Sequence, residues 1–198
     1  MSRADRTLGP AYFDAVYAPG GDRWRFASSA YERDKYAATL AALPKPRYAS
    51  AFEIGCSIGV LTSALAPRCD ALLAVDAAAA PLIEARRRCA ELSNVRIERM
   101  FVPRQWPNSV FDLILLSEIV YYLCAEDVAR LAARGLRSLA FEGDVALVHW
   151  TGETNYPLSG DEAAELFIDR MGPSVRVPRR DRSDAFRLDV ARRCSLPN

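Results

Sequence analysis

Phe52-Glu53-Ile54-Gly55-Cys56-Ser57-Ile58-Gly59-Val60 joins an apolar run to an amphipathic one through a turn that carries two glycines. Strand, turn and helix in that order make the first half of a βαβ unit. Gly55 permits a tight turn and a close approach of backbone to a ligand, and Gly59 lets the helix begin tight against the strand. Downstream, Ala71-Leu72-Leu73-Ala74-Val75 is almost wholly apolar, as a central strand covered on both faces would be. It ends at Asp76, about 20 residues past the first glycine, where an acidic side chain is placed to accept hydrogen bonds from ribose hydroxyls. The alternative for Asp76 is a helix cap in an ordinary strand–helix turn.

Working outward, apolar runs alternate with amphipathic ones. Residues 31–43 read as a helix, with Ser28 or Ser29 as cap and Pro44 as stop. Further helices are expected over 60–65, over 77–92 with Pro81 in the first turn, and over 127–139. Strands are expected at 51–54, 71–75, 95–97, 111–116 and 145–148. Ser159-Gly160-Asp161-Glu162 has the capping-box form and precedes a periodic stretch to Met171. Phe186, Leu188 and Val190 alternate with polar residues, so they mark a half-buried strand that pairs with Val175-Arg176-Val177 across a connection over 178–184. The sum is an α/β fold: a mostly parallel seven-stranded sheet with helices on both faces and a C-terminal antiparallel hairpin. Residues 31–198 form this domain. Residues 1–30, polar-aromatic with Gly20-Gly21, are expected to be a lid over a ligand.

The 198 residues, 51% hydrophobic, suffice for one core. Lys and Arg number 26 against 25 for Asp and Glu, a net charge of +1, which gives no electrostatic reason for a nucleic-acid or anionic-membrane partner. The Arg86-Arg87-Arg88 and Arg179-Arg180-Asp181-Arg182 runs read as solvated faces. Five scattered cysteines without a CxxC, and a single histidine, speak against a zinc site and suit reduced thiols in a cytoplasm. The first residues, Met1-Ser2-Arg3-Ala4-Asp5-Arg6, carry no secretory signal, and no apolar stretch is long enough to cross a bilayer. A cytoplasmic protein without metal or membrane insertion is expected.

Glu53 stands just before the turn and Ser57 replaces its middle glycine. A carboxylate there repels a pyrophosphate, but it organises loop amides or attracts a cation. The Glu53-to-Gly59 stretch resembles the E/D-x-G-x-G-x-G motif of class I methyltransferases with a Rossmann-like fold. Phe111-Asp112-Leu113-Ile114 resembles their F-D-L-I strand, followed here by Ser117-Glu118-Ile119-Val120-Tyr121-Tyr122. The resemblance implies S-adenosyl-L-methionine as cofactor, a molecule with an ammonium and a sulfonium and no phosphate. Glu53 lies beside it, and the amides of Gly55, Cys56 and the loop to Gly59 are expected to face its methionine part. Asp76 takes the ribose, and Ser117 sits at the ligand edge of the sheet. Many of these enzymes have an acidic residue after the third strand to bind the adenine amine. This chain has Arg99-Met100-Phe101-Val102 there. Met100 and Phe101 then hold adenine by apolar contact and backbone hydrogen bonds, or else serve as core. Trp24 and Arg33 are expected to close over the amino-acid end, with Arg33 on its carboxylate. The alternative for Arg33 is a surface charge beside Glu32 and Asp34.

A narrower resemblance covers nearly the whole chain. Trp24-Arg25-Phe26-Ala27-Ser28-Ser29-Ala30-Tyr31-Glu32-Arg33-Asp34-Lys35-Tyr36, Trp106-Pro107, Ser117-Glu118-Ile119-Val120-Tyr121-Tyr122-Leu123 and His149-Trp150 are similar to the nodulation protein S family. That similarity implies an N-methyltransferase acting on a small oligosaccharide: the free amine of the non-reducing glucosamine of a de-N-acetylated chitooligosaccharide, in nodulation factor synthesis. Composition and spacing do not point to this substrate. An ammonium acceptor must lose a proton before it attacks, and Glu118, Tyr121 and His149, at or just past strand ends, are the candidate catalytic residues; the alternative for His149, a lone histidine after an apolar strand, is a structural role. Tyr121, Tyr122, Trp150 and Tyr156 suit stacking on a sugar ring. Two other readings stand: a methyltransferase of the same fold with another small amine or hydroxyl acceptor, and a nucleotide-binding oxidoreductase or non-catalytic cofactor module. Glu53 and Ser57 count against the latter.

Overall fold

The computed structural model describes residues 3–18, 22 and 24–195; Gly20 and Gly21 lie outside the described residues. Seven strands form one sheet: β1 (Tyr48–Ile54), β2 (Cys69–Asp76), β3 (Val95–Arg99), β4 (Phe111–Ser117), β5 (Leu139–Trp150), β6 (Val175–Arg182) and β7 (Phe186–Arg193). Their order is β3-β2-β1-β4-β5-β7-β6. The first five are parallel, and β7 runs antiparallel between β5 and β6. The helices are α1 (Pro10–Tyr17), α2 (Ala30–Ala42), α3 (Val60–Leu65), α4 (Ala80–Arg88), α5 (Ala125–Ser138) and α6 (Gly160–Met171). No helix among the described residues is long and apolar enough to cross a membrane.

β4 shows why these strands read as continuous apolar runs. Leu113 and Leu115 enter a core with Ala42, Leu61 and Leu65 from α2 and α3. Ile114 and Leu116 enter the opposite core with Val128, Leu131 and Phe167 from α5 and α6. A strand whose alternate residues feed two cores has no polar face to show. On α5 the buried stripe is Val128, Leu131, Ala132, Gly135 and Ser138, at the three-to-four spacing of a helix packed on a sheet.

Several boundaries differ from the sequence expectation, each for a local reason. Ser29 occupies the N-cap position of α2 without a side-chain capping bond. α4 covers only 80–88 of the expected 77–92, with Pro81 in its first turn; ahead of it the Asp76 carboxylate takes the Ala78 amide (2.9 Å). The connection expected over 178–184 is mostly strand. β6 passes straight through Pro178, on the sheet edge, where the pairing register shifts between Arg176 and Arg179; edge position and bulge are where a proline fits. The tight turn is closed instead by the Ser183 hydroxyl, which accepts from the Ala185 and Phe186 amides.

β1 leads to β2 and β3 on one side, and the chain then crosses to β4 on the other. This reversal opens a crevice at the carboxyl ends of β1 and β4, where ligands gather in open α/β sheets. The N-terminal segment lies across it. Its helix α1, unannounced by the sequence pattern, starts at Pro10, whose missing N–H costs nothing in a first turn. The Leu8 amide donates to the Tyr122 carbonyl (2.9 Å), the Thr7 hydroxyl donates to Asp127 (2.5 Å) and accepts from the Cys124 amide (3.0 Å), and Asp14 pairs with Arg99 (3.0 Å).

The capping box of α6 is complete: the Glu162 amide donates to the Ser159 hydroxyl (3.2 Å) and the Ser159 amide to the Glu162 carboxylate (2.8 Å). Ser159→Ala removes one half of it and costs about 1 kcal/mol. For a chain of this size that is a fall in Tm of about 2–4 °C, read by circular dichroism. A melting curve superimposable on that of the unsubstituted protein would show that the cap does not hold α6.

Candidate functional site

The crevice encloses a cavity of about 430 Å³, within the size range of small-ligand sites. Its floor is the turn after β1. Gly55 (φ 90°), Ser57 (φ 47°) and Gly59 (φ 77°) all take the left-handed region. A Cβ on Gly55 would stand 2.3 Å from Ile119 Cγ2 and 2.9 Å from the Ser117 carbonyl oxygen, so the turn is pressed against the end of β4 and not against a ligand. Gly59 approaches α4, with a Cβ position 3.0 Å from the Ala85 Cα; that contact, not the one with the strand, is what requires glycine there. Ser57 tolerates its conformation with the hydroxyl bonded to the Tyr17 hydroxyl of α1 (2.7 Å).

The expectation that the loop amides face a ligand is corrected. The Gly55 and Cys56 amides both donate to the Val75 carbonyl (2.8 and 3.0 Å), that of Ser57 to Asp76 (3.0 Å), and that of Gly59 to the Cys56 carbonyl (2.8 Å). The left-handed turn directs its donors back into the end of β2. The loop is therefore not an anion nest of the kind that cradles phosphates.

The cavity shows carboxylates instead. Glu53 is fully buried on its wall, and neither side-chain oxygen has a hydrogen-bond partner. Burial pushes its pKa up to about 7, against the pull of the nearby Thr62 hydroxyl. Asp76 also lines the cavity; burial pushes it up to about 6, opposed by the Ala78 and Ser57 amides that it accepts. Met100 and Phe101 supply apolar lining at the end of β3. Their amides are engaged, Met100 with the Asp76 carbonyl (2.9 Å) and Phe101 with the Gln105 side chain (2.8 Å), so neither offers the backbone donor expected for adenine. Trp24, Cys56 and Ser117 complete this half, Trp24 edge-on to Tyr17 at 5.2 Å.

The other half is built around Glu118, also in a left-handed conformation (φ 59°), its amide donating to the Val148 carbonyl (2.8 Å). One carboxylate oxygen accepts from Lys35 Nζ (2.8 Å), the other from the Tyr121 hydroxyl. Tyr121 stacks on Tyr156 at 5.3 Å, and Tyr122 meets it edge-on at 4.7 Å. Burial and the Glu118 charge hold the Tyr121 phenol well above its usual pKa, so it is a neutral donor. Glu118 and Tyr121 both line the cavity. His149 does not: it is wholly buried behind Tyr121, Nε2 accepts from the Val120 amide (3.3 Å), and burial lowers its pKa to about 4. A neutral imidazole whose free lone pair is already taken supports the wall and removes no proton from a ligand.

Arg33 is exposed and outside the cavity wall, which leaves it no ligand carboxylate to meet. Two residues on, Lys35 points in, 1% exposed and paired with Glu32 (3.0 Å) and Glu118. Sequence reasoning passed over Glu32, Lys35 and Tyr17. A signal existed for the first two: Glu32, Lys35, Thr39 and Ala42 share one helical face, and it is the buried one. Among the described residues no His, Cys, Asp and Glu group has the makings of a metal site.

Comparison with known proteins places the chain. The family profile described as Nodulation protein S (NodS) matches residues 18–150, more than half of the chain. Nodulation protein S of Sinorhizobium fredii is 33% identical over 121 residues, 60% of this chain and 55% of that protein. Nodulation protein S of Bradyrhizobium diazoefficiens is 35% identical over 103 residues, 52% of this chain and 49% of that protein. The chain thus spans about half the length of these relatives. Among solved structures, a Pseudomonas syringae protein assigned provisionally as a methyltransferase superposes with a TM-score of 0.74 at 36% identity, over 83% of this chain and 100% of that one. N-methyltransferase NodS from Bradyrhizobium japonicum WM9, in complex with S-adenosyl-L-homocysteine, gives a TM-score of 0.82 at 18% identity, over 95% of this chain and 100% of that one. The fold is that of the class I methyltransferases.

The Tyr17–Ser57 bond ties the N-terminal cover to the turn below it. Tyr17→Phe deletes that bond alone and leaves a buried hydroxyl unpaired at Ser57, a loss of about 1 kcal/mol. Amide hydrogen exchange over residues 10–17 should speed up roughly fivefold while exchange in β4 is unchanged. Equal acceleration in both would mean that Tyr17 supports the whole domain and not the cover.

Proposed function

Because this chain belongs to the nodulation protein S family, we propose that it binds S-adenosylmethionine in the cavity and transfers its methyl group to an amine of a small oligosaccharide, the free amine of the non-reducing glucosamine of a de-N-acetylated chitooligosaccharide. The observation that carries the cofactor half is the Glu53 carboxylate, buried without a partner beside a turn whose amides are consumed elsewhere. A dinucleotide presents phosphates and wants donors. A ligand with an ammonium and a sulfonium satisfies a bare carboxylate, so the donor set fits this group. Glu53 would hold the ammonium, Asp76 the ribose hydroxyls, and Met100 with Phe101 the adenine face. Bound there, the cofactor supplies an electrophilic methyl on a good leaving group.

What remains for the protein is to hold an amine in line and free of its proton. Glu118 faces the cavity with both oxygens oriented, and an incoming ammonium meets its carboxylate. Tyr121, Tyr122 and Tyr156 form a rigid aromatic wall beside it, suited to the apolar face of a sugar ring, and Trp150, 38% exposed, extends it outward. The N-terminal cover keeps water from the reacting centre. The substrate itself rests on the family resemblance.

Mass spectrometry of chitosan oligomers incubated with the protein and labelled S-adenosylmethionine tests the whole reading. A gain of one methyl at the non-reducing glucosamine is expected, and none on the fully acetylated oligomer, whose amide nitrogen delocalises its lone pair. Methylation of an unrelated small amine or hydroxyl acceptor, with the glucosamine oligomer untouched, would instead favour the broader methyltransferase reading.

A second measurement addresses Glu53. With its pKa near 7, it must shed a proton before it meets an ammonium. The affinity for S-adenosylhomocysteine should therefore rise between pH 5 and 7, by at most about tenfold per pH unit, and level off above. In calorimetric titrations Glu53→Gln should lower the affinity at pH 7.5 and flatten this rise. A profile as steep in the variant as in the parent protein would take Glu53 out of the site.

A further inference from the structure

Outside the residues just assigned, the least expected group in the molecule is the amine of Lys35. It is 1% exposed. Its partners are Glu32 at 3.0 Å and Glu118 at 2.8 Å, and the rings of Tyr31 and Tyr36 lie 5.1 and 5.5 Å from it. A lysine so placed gives up its hydration for one cation between two carboxylates. From α2 it reaches across the crevice to Glu118, which β4 presents on a left-handed backbone. The opposite oxygen of Glu118 is held by Tyr121. Of the three groups, Glu118 alone combines cavity access with partial exposure, 18% for its side chain.

We propose that Lys35 is the positioning residue of the acceptor half of the site: it fixes the Glu118 carboxylate against the incoming amine and keeps Glu32 and Glu118 from sharing a proton. The inference rests on the methyl-transfer reading above, and it adds a residue to which the sequence analysis assigned no role. Two carboxylates that close together, one of them deeply buried, compete for a proton unless a cation stands between them. A Glu118 that has taken that proton cannot accept one from the amine. Among the described residues around the cavity, the other titratable groups near Glu118 give no substitute for the cation. Tyr31 and Tyr36 on α2, Tyr121 and Tyr122 after β4 and Tyr156 before α6 are phenols. Glu53 at the end of β1 is a carboxylic acid, and His149 on β5 is neutral in its buried place. Lys35 touches neither the acceptor nor the cofactor in this scheme.

The test compares Lys35→Met, Glu118→Gln and the double variant in the full chain, with S-adenosylhomocysteine affinity measured for each. Lys35→Met should lower kcat by about tenfold or more, the lower end of what a positioned proton acceptor contributes, and leave the affinity within about twofold. The pH below which activity falls should move upward. The double variant should be no slower than Glu118→Gln, because both changes remove the same function. Lys35→Arg, which keeps the charge, should recover part of the rate.

One readout needs no turnover. In Lys35→Met the paired carboxylates bind protons more tightly folded than unfolded, so the stability lost to the substitution is small at pH 5 and grows as pH rises to 8; adding Glu118→Gln should remove most of that slope. If the parent protein methylates nothing but this slope appears, the methyl-transfer reading fails while the coupling of Lys35 to Glu118 stands. A Lys35→Met variant with an unshifted pH profile, or one that loses cofactor affinity in step with kcat, overturns the proposal. So does a double variant whose defects simply multiply. Should Lys35→Met not fold alone, the same comparison of pH slope and rate is made between Lys35→Arg and Lys35→Arg/Glu118→Gln, and additive defects there overturn it as well.

Discussion

The constraint on which the site depends is the absence of room beside Gly55. A Cβ there would stand 2.3 Å from Ile119, just past the strand that follows the crossover. That contact brings the turn after β1 and the end of β4 together at the place where the sheet reverses direction. Five of the residues assigned to the site hang from these two chain segments. Glu53 and Ser57 come before and within the first; Ser117, Glu118 and Tyr121 come at the end of the second. Asp76 reaches the same spot because the turn amides, forced inward by their left-handed backbone, bond to Val75 and Asp76 at the end of β2. A glycine required for packing thus fixes how three strand ends converge.

The same geometry explains why the turn differs in character from a phosphate loop. In a phosphate loop the amides point out and the ligand supplies the negative charge. Here the amides are satisfied internally, and the surface left facing the cavity is acidic and apolar. The replacement of the middle glycine by Ser57 belongs to this arrangement. Its hydroxyl gives the N-terminal cover a polar anchor through Tyr17.

Much of this was legible before any coordinates. The alternation of runs gave the number of strands and the hairpin at the end, because strands buried on both faces must be apolar throughout and β4 meets that demand. Ten of the thirteen candidate residues line the cavity; Arg33, Gly59 and His149 do not. The three that lie outside it do so for distinct reasons. A motif says which residues make a turn and not which way its amides point, so Gly59 proved to serve α4. A histidine at a strand end invites a catalytic reading, but burial removes its ability to take a proton at neutral pH. On α2, convention places charged residues on the outer face, so Arg33 drew notice where Lys35 deserved it. α1 has no clear polar face, with Asp14 its one charged residue, so the side that carries Phe13 and Tyr17 becomes meaningful only once a cavity lies beneath it.

The buried stripe of Glu32, Lys35 and Thr39 on α2 is costly on stability grounds alone, since an apolar stripe of similar volume packs at least as well in most interiors. Its presence makes sense if charge in the cavity has a use. Among the described residues, Glu32, Glu53, Asp76 and Glu118 stand around the wall against the single cation of Lys35. The imbalance is partly relieved by burial, which raises the pKa values of Glu53 and Asp76 and favours their protonated forms. On the proposed reading the ammonium of the cofactor would replace the proton of Glu53, which is charged when its partner arrives. Ligand binding and proton release at Glu53 would then be one event. The carboxylate that Lys35 keeps free of this exchange, Glu118, is the one left available to the acceptor.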